Sequence, residues 1–141
     1  MTAPLVLGYD ESPSANAALA ATTELALDLK TKVVVVFGYY VTPLGGGGGS
    51  DVRAALEKLG NHALARAVAD LEAAAVEVES RLVAHRPADA ILQVAEEVDA
   101  RMIIVGTVGE NPITGAVLGS VVLKLVQRSP FPVLVVRAPD A

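Results

Sequence analysis

Short apolar runs alternate with longer amphipathic segments along the whole chain. Residues 5–9, 33–37, 102–105 and 132–136 are brief and almost wholly apolar, which is typical of strands covered on both faces. Residues 76–82 instead alternate apolar and polar side chains, which predicts a strand with one solvated face. That strand is therefore expected at an edge of the sheet, and the uniformly apolar strands nearer its centre.

Helix signals fill the intervals between these strands. Ser12 followed by Pro13 predicts an N-cap and a first helical turn, with the helix continuing to about Lys30. A second helix is predicted over about 52–75, and a third after Pro87. The apolar stripe of the last helix is formed by Leu118, Val121, Val122, Leu125 and Val126. Strands joined by helices of this length predict βαβ units, and so a doubly wound open sheet of five parallel strands with helices on both faces.

Composition narrows the classes of protein that fit this pattern. The 141 residues suit a single domain over 1–141, in which residues 41–51, with Pro43 and five consecutive glycines, form a flexible loop. The chain has no cysteine, and its two histidines lie apart, so neither a disulfide nor a metal site is expected. A net charge of -5 argues against nucleic acid as a partner. Without a membrane-length apolar run or a basic leader, a cytoplasmic protein is expected.

The most informative segment follows the fourth predicted strand. It reads Gly106-Thr107-Val108-Gly109, then nine residues, then Gly119-Ser120 at the start of the last helix. Glycines let a backbone turn approach a ligand closely, and the amides at a helix amino end favour an anion. Packing needs alone would also explain glycines here. On the residues alone, phosphate binding and close packing are equally good interpretations.

The spacing Gly106-x2-Gly109-x9-Gly119-Ser120 is similar to the nucleotide-binding pattern of ATP-binding universal stress proteins. The segments 7–10, 87–91 and 132–136 also resemble that family, so the similarity extends over essentially the whole chain. The resemblance implies the strand order 3-2-1-4-5, which agrees with the edge position predicted for the third strand. It also implies a ligand site where the strand order reverses, between the first and fourth strands.

The resemblance further implies which residues contact the nucleotide. Asp10 would face the adenosine, although it could instead help to cap the first helix. The backbone of Tyr39 would meet the adenine, although a plain strand-end aromatic is an equal alternative. The full set of implied contacts is Gly8, Tyr9, Asp10, Tyr39, Val105, Gly106, Gly109, Gly119, Ser120 and Val121.

Two positions depart from the family pattern and bear on the choice of ligand. Val108 and Glu110 stand where the family often has a histidine and a basic residue, and no Lys or Arg lies between Gly106 and Leu123. ATP would therefore depend on backbone amides, Ser120 and a divalent cation such as Mg²⁺. The hypothesis that follows is a site that prefers AMP or cyclic AMP to ATP.

The sequence leaves two functions open. In the first, the chain is an adenine-nucleotide-binding stress protein whose occupancy alters its loops and its partners. In the second, it is a structural or interaction dimer of the same fold with an empty site. No residue makes a convincing nucleophile or general base, so an enzyme is not expected. A homodimer is expected through the apolar edge strand at 132–137, by antiparallel pairing as in the family.

Overall fold

The computed structural model describes residues 2–42, 49–108 and 118–139. The elements alternate between strand and helix throughout these ranges. In chain order they are β1 (Leu5–Gly8), α1 (Pro13–Leu29), β2 (Val33–Gly38), α2 (Gly49–Ala73), β3 (Val78–Val83), α3 (Pro87–Val98), β4 (Met102–Gly106), α4 (Ser120–Arg128) and β5 (Val133–Val136). Each predicted strand and helix is therefore present, with bounds shifted by a few residues.

The strands form one sheet in the order β3-β2-β1-β4-β5, and each neighbouring pair is parallel. The predicted order is confirmed, including the edge position of β3. β1 lies at the centre, where Leu5 is in register with Val33 of β2 and with Met102 of β4. The strand order reverses direction between β1 and β4, so their outgoing chains diverge and leave a crevice at the carboxyl edge of the sheet.

Alternate side chains of the central strands pack into two separate hydrophobic cores, one on each face of the sheet. Leu5, Leu7 and Val35 are fully buried against helices α1 and α2 on one face. Val6 and Val34 are fully buried on the opposite face, against α3 and α4. This two-sided burial explains why the central strands are continuous apolar runs, whereas a strand with one wet face would alternate.

Two parts of the sequence pattern needed correction. The last helix begins at Ser120, so Leu118 precedes it, and its buried stripe contains only Val122 and Leu125. Val126, assigned to that stripe from the sequence, is 62% exposed. The other difference concerns β3, whose burial is nearly uniform and intermediate, because an edge strand is only partly covered. Within the described part of the chain, no helix has both the length and the apolar character needed to cross a membrane.

Candidate ligand-binding site

A cavity of about 510 Å³ opens at the carboxyl edge of the sheet, in the crevice between β1 and β4. Its volume falls within the range of about 300–1,000 Å³ that is usual for small-molecule sites. Three parts of the chain form its rim: the turn after β1, the turn after β4 and the amino end of α4. The cavity is thus at the place where open α/β sheets hold ligands.

The turn after β1 places one carboxylate in the lining of the cavity. Asp10 Oδ1 accepts the amide of Ser12 at 3.0 Å, which fixes the carboxylate, while Ser12 Oγ accepts the amide of Ala15 and caps α1. Asp10 thus supports the entry to the helix without being the cap itself. This support of the helix entry uses one carboxylate oxygen, Oδ1, so it does not exclude the predicted contact with the adenosine.

Glu11, the next residue, holds this turn to helix α2. Its φ of 65° is in the left-handed region, which is unusual for a residue with a side chain. The Glu11 carboxylate lies 2.7 Å from His62 Nδ1 and 3.4 Å from an Arg66 guanidinium nitrogen. The hydrogen bond with His62, helped by Arg66, holds the pKa of the Glu11 carboxyl below its usual value. The backbone beside Asp10 is therefore tied to a second element.

The turn after β4 packs directly on the amino end of α1. A Cβ at Gly106 would lie 2.6 Å from the carbonyl carbon of Ser14 and 2.7 Å from the amide nitrogen of Ala15. Glycine is therefore required at this position for packing, whether or not a ligand is bound. Val108 lies two residues further along this turn, and its carbonyl and amide both form hydrogen bonds with the Ser14 hydroxyl.

The amino end of α4 meets the same turn. The Gly119 amide donates to the Thr107 carbonyl at 2.7 Å, which joins the strand end to the helix start. Gly119 is the N-cap and supplies no side-chain cap, so the amides of the first helical turn are left for another acceptor. Ser120, exposed at the first helical position, adds a hydroxyl donor there. An anion is favoured at such a helix end.

The walls of the cavity are mainly apolar. They are built from both faces of the crevice by Ala15, Val36, Pro87, Ile91, Val105 and Val122. Asp10 is the one charged side chain among the described residues that line the cavity. Tyr9, also in the lining, donates its hydroxyl to Asn16 at 2.5 Å, and burial raises the pKa of its phenol. The lining therefore offers apolar surface, hydroxyl and amide donors and one negative charge.

Most of the residues predicted to contact a ligand come together in this lining. Those in it are Gly8, Tyr9, Asp10, Val105, Gly106, Gly119, Ser120 and Val121. Gly109, Glu110 and most of the glycine-rich loop lie outside the described residues. Whether the eight lining residues contact a ligand stays a prediction.

Tyr39 is not among the described lining residues, and Phe37 and Gly38 form that wall instead. Its ring is buried on the α1–α2 side of the sheet, and its hydroxyl donates to Glu57 of α2 at 3.1 Å. Its amide donates to the carbonyl of Val83, so its backbone continues the pairing of β2 with β3. The strand-end aromatic is the interpretation that this geometry favours.

Sequence reasoning missed several contributors. Ile91 and Pro87 were assigned only to the third helix, although their side chains also wall the cavity. Ser14 was not singled out at all. Its position would have indicated it, because Ser14 directly follows the Ser12-Pro13 cap and so lies in the first turn of a helix that starts beside the crevice. Of the described residues, no group of three or more His, Asp or Glu side chains is placed to hold a metal ion.

The chain has a parallel doubly wound sheet with a ligand-sized cavity where the strand order reverses. These features define its class: it is an α/β protein of the kind that binds ligands at the carboxyl edge of the sheet. The model of the universal stress protein family matches residues 1–137. The chain belongs to the universal stress protein family.

Individual relatives agree with this assignment. A universal stress protein of Thermus aquaticus is 32% identical over 133 residues, which cover 94% of this chain and 97% of that protein. A universal stress protein solved in complex with cAMP is 28% identical, with a TM-score of 0.75 and coverage of 98% of this chain and 100% of that one. The universal stress protein of Archaeoglobus fulgidus in complex with dAMP is 27% identical, with a TM-score of 0.69 and coverage of 96% and 98%.

Proposed function

We propose that this protein binds an adenine nucleotide in the cavity between β1 and β4, and that it acts as a ligand-responsive regulatory module. The observation that carries the proposal is the convergence of Asp10, the Gly106–Val108 turn and the amino end of α4 on one cavity. The nucleoside would occupy the apolar crevice, and its phosphate would face the first-turn amides of α4 and Ser120. Similar proteins solved with cAMP and dAMP support an adenine nucleotide as the ligand.

Charge favours a ligand with few negative charges, such as AMP or cyclic AMP, over ATP. Asp10 is negative and lies in the lining, and the sequence from Gly106 to Leu123 contains no Lys or Arg. Two negative charges in partly solvated surroundings repel by roughly 1–4 kcal/mol at contact distance, and by less as they separate. Each further phosphate therefore adds repulsion, and the described lining residues include no Lys or Arg to offset it, so ATP would need a divalent ion such as Mg²⁺.

The test is calorimetry with cyclic AMP, AMP and ATP, each with and without magnesium. We expect affinity for AMP or cyclic AMP to exceed that for metal-free ATP. Thermal unfolding gives a second readout, because ligand at a hundred times its Kd stabilises the fold by about 2.7 kcal/mol. For a domain of this size that is a rise in Tm of roughly 5–10 °C. A flat melting curve with all three ligands would refute nucleotide binding.

Asp10→Asn sharpens the test of the charge argument. Asparagine keeps the oxygen that accepts the Ser12 amide and removes the negative charge. The preference for AMP over metal-free ATP should therefore shrink, by up to about 1 kcal/mol or roughly fivefold. Asp99→Asn is the matched control, because Asp99 is the left-handed C-cap of α3, a conformation that asparagine tolerates. An unchanged preference in Asp10→Asn would contradict the electrostatic explanation.

We also propose that the protein forms a homodimer through β5. The strand lies at the edge of the sheet, and Val133–Val136 are all only half-buried. Exposed apolar edge strands promote association, and antiparallel pairing of two such edges would cover them. Because β5 pairs with β4, a nucleotide bound at the turn after β4 would lie beside the dimer interface and could alter it.

A further inference from the structure

The hydroxyl of Ser14 binds both backbone polar groups of a single distant residue. Ser14 Oγ donates to the Val108 carbonyl at 2.6 Å and accepts from the Val108 amide at 3.3 Å, across 94 positions of sequence. The serine is 1% exposed. A buried hydroxyl used in this way fixes both the position and the orientation of the peptide that it holds.

Ser12 makes a longer contact with the same peptide. Its hydroxyl donates to the Val108 carbonyl at 3.4 Å, and its oxygen also accepts the amide of Ala15 as the cap of α1. Ser14 makes the shorter bond to that carbonyl and also accepts the Val108 amide. Gly106 lies so close to α1 that a single added carbon would collide with its backbone. Ser14 is therefore the main polar link between α1 and the turn after β4.

The link continues to the amino end of α4. Thr107 precedes Val108, and its carbonyl accepts the Gly119 amide at 2.7 Å. Residues of α1, the β4 turn and the α4 N-cap thus form one hydrogen-bonded series. A shift of the Val108 peptide would move the Thr107 carbonyl, and with it the acceptor that holds Gly119 in place.

We infer that Ser14 is a positioning residue: through Val108 and Thr107 it sets the amino end of α4 in the geometry that receives a phosphate. The inference rests on the proposed function of the cavity, which it deepens. Ser14 itself is not among the described lining residues, so it acts through the turn and not by touching the ligand. Replacing Ser14 should therefore weaken the binding of the phosphate and leave the binding of the nucleoside unchanged.

The experiment compares AMP with adenosine, which lacks the phosphate, in calorimetry on the full chain. Ser14→Ala removes both bonds to Val108. It should weaken AMP binding by about two- to tenfold, the value of one hydrogen bond between the first turn of α4 and the phosphate, and leave adenosine binding unchanged. The control is Thr22→Val on the same helix. Thr22 is also fully buried, but its hydroxyl donates within α1 to the Ala18 carbonyl at 2.7 Å. A general loss of helix stability would appear in both variants.

Amide hydrogen exchange measured by NMR without ligand gives an independent readout. In Ser14→Ala the Val108 and Gly119 amides should exchange about two- to tenfold faster, and in Thr22→Val they should not. The inference is overturned if AMP and adenosine weaken equally, if the control matches Ser14→Ala, or if Gly119 exchange is unchanged. Should the wild-type protein bind no nucleotide while both amides respond, the proposed function fails and the positioning of α4 by Ser14 stands.

Discussion

Replacing Gly106 by alanine tests whether this glycine serves packing as well as the proposed ligand. The new Cβ would lie 2.6 Å from the Ser14 carbonyl carbon and 2.7 Å from the Ala15 nitrogen, both backbone atoms of α1. The glycine does not have the left-handed φ that disfavours side chains, so the cost comes from space alone. Because backbone cannot rotate away as a side chain can, α1 or β4 must move.

The size of the effect follows from the nature of those contacts. Overpacking a well-filled interior typically costs about 1–3 kcal/mol, and a collision with two backbone atoms belongs at the upper end. At roughly 2–4 °C per kcal/mol for a chain somewhat longer than this one, Tm should fall by about 6–12 °C. Circular dichroism of the ligand-free protein during heating measures this directly.

Gly49→Ala is the matched control. No heavy atom lies within 4 Å of a Cβ built at Gly49, the first residue of α2. Alanine should therefore leave Tm unchanged or slightly higher, since alanine loses less conformational freedom on folding than glycine does. If Gly106→Ala melts together with wild type and Gly49→Ala, the packing role is wrong and the glycine is reserved for ligand approach.

Two further predictions concern the Glu11 contact and the sheet edge. The folded-state pKa of Glu11 is below its ordinary 4.5, so its pairing with His62 contributes stability above that pH, and the contribution is lost as pH falls through the folded pKa. Glu11→Gln should thus destabilise the protein at pH 7, and its difference from wild type in urea unfolding should shrink as the pH is lowered below 4.5; a difference that stays the same at acidic pH would contradict this. The carbonyls of Pro132 and Val136 accept amides at the β4 edge. Because successive residues of a strand point their backbone groups to opposite sides, the amide of Val135 points to the open edge. Val135→Pro should yield a monomer in light scattering and Val135→Ala a dimer, whereas a monomeric wild type would rule out the β5 dimer.

The local sequence patterns predicted the helices and strands because each pattern reflects a local physical requirement, such as burial of both faces of a strand or capping of a helix. The valine run of β2 is continuous because both of its faces are buried. Ser12 starts α1 because its hydroxyl oxygen accepts the Ala15 amide, and Pro13 suits the first helical position because it has no amide hydrogen to pair. The strand order came from family resemblance together with the alternating pattern of β3. The buried face of the last helix was less well predicted, because Val126 has the helical spacing of that face but is largely exposed.

Local sequence patterns were enough to predict the type of each element, the edge position of β3 and the segments that end at the carboxyl edge of the sheet. These depend on side-chain periodicity and on residues such as glycine, proline and serine whose local preferences are strong. The folded protein was needed to see that the Tyr39 ring packs in the α1–α2 core, that α1 leaves no room for a side chain at Gly106, and that Ser14 binds Val108. Such contacts join residues far apart in the chain, and their distances depend on how the helices pack against the sheet, which periodicity does not encode.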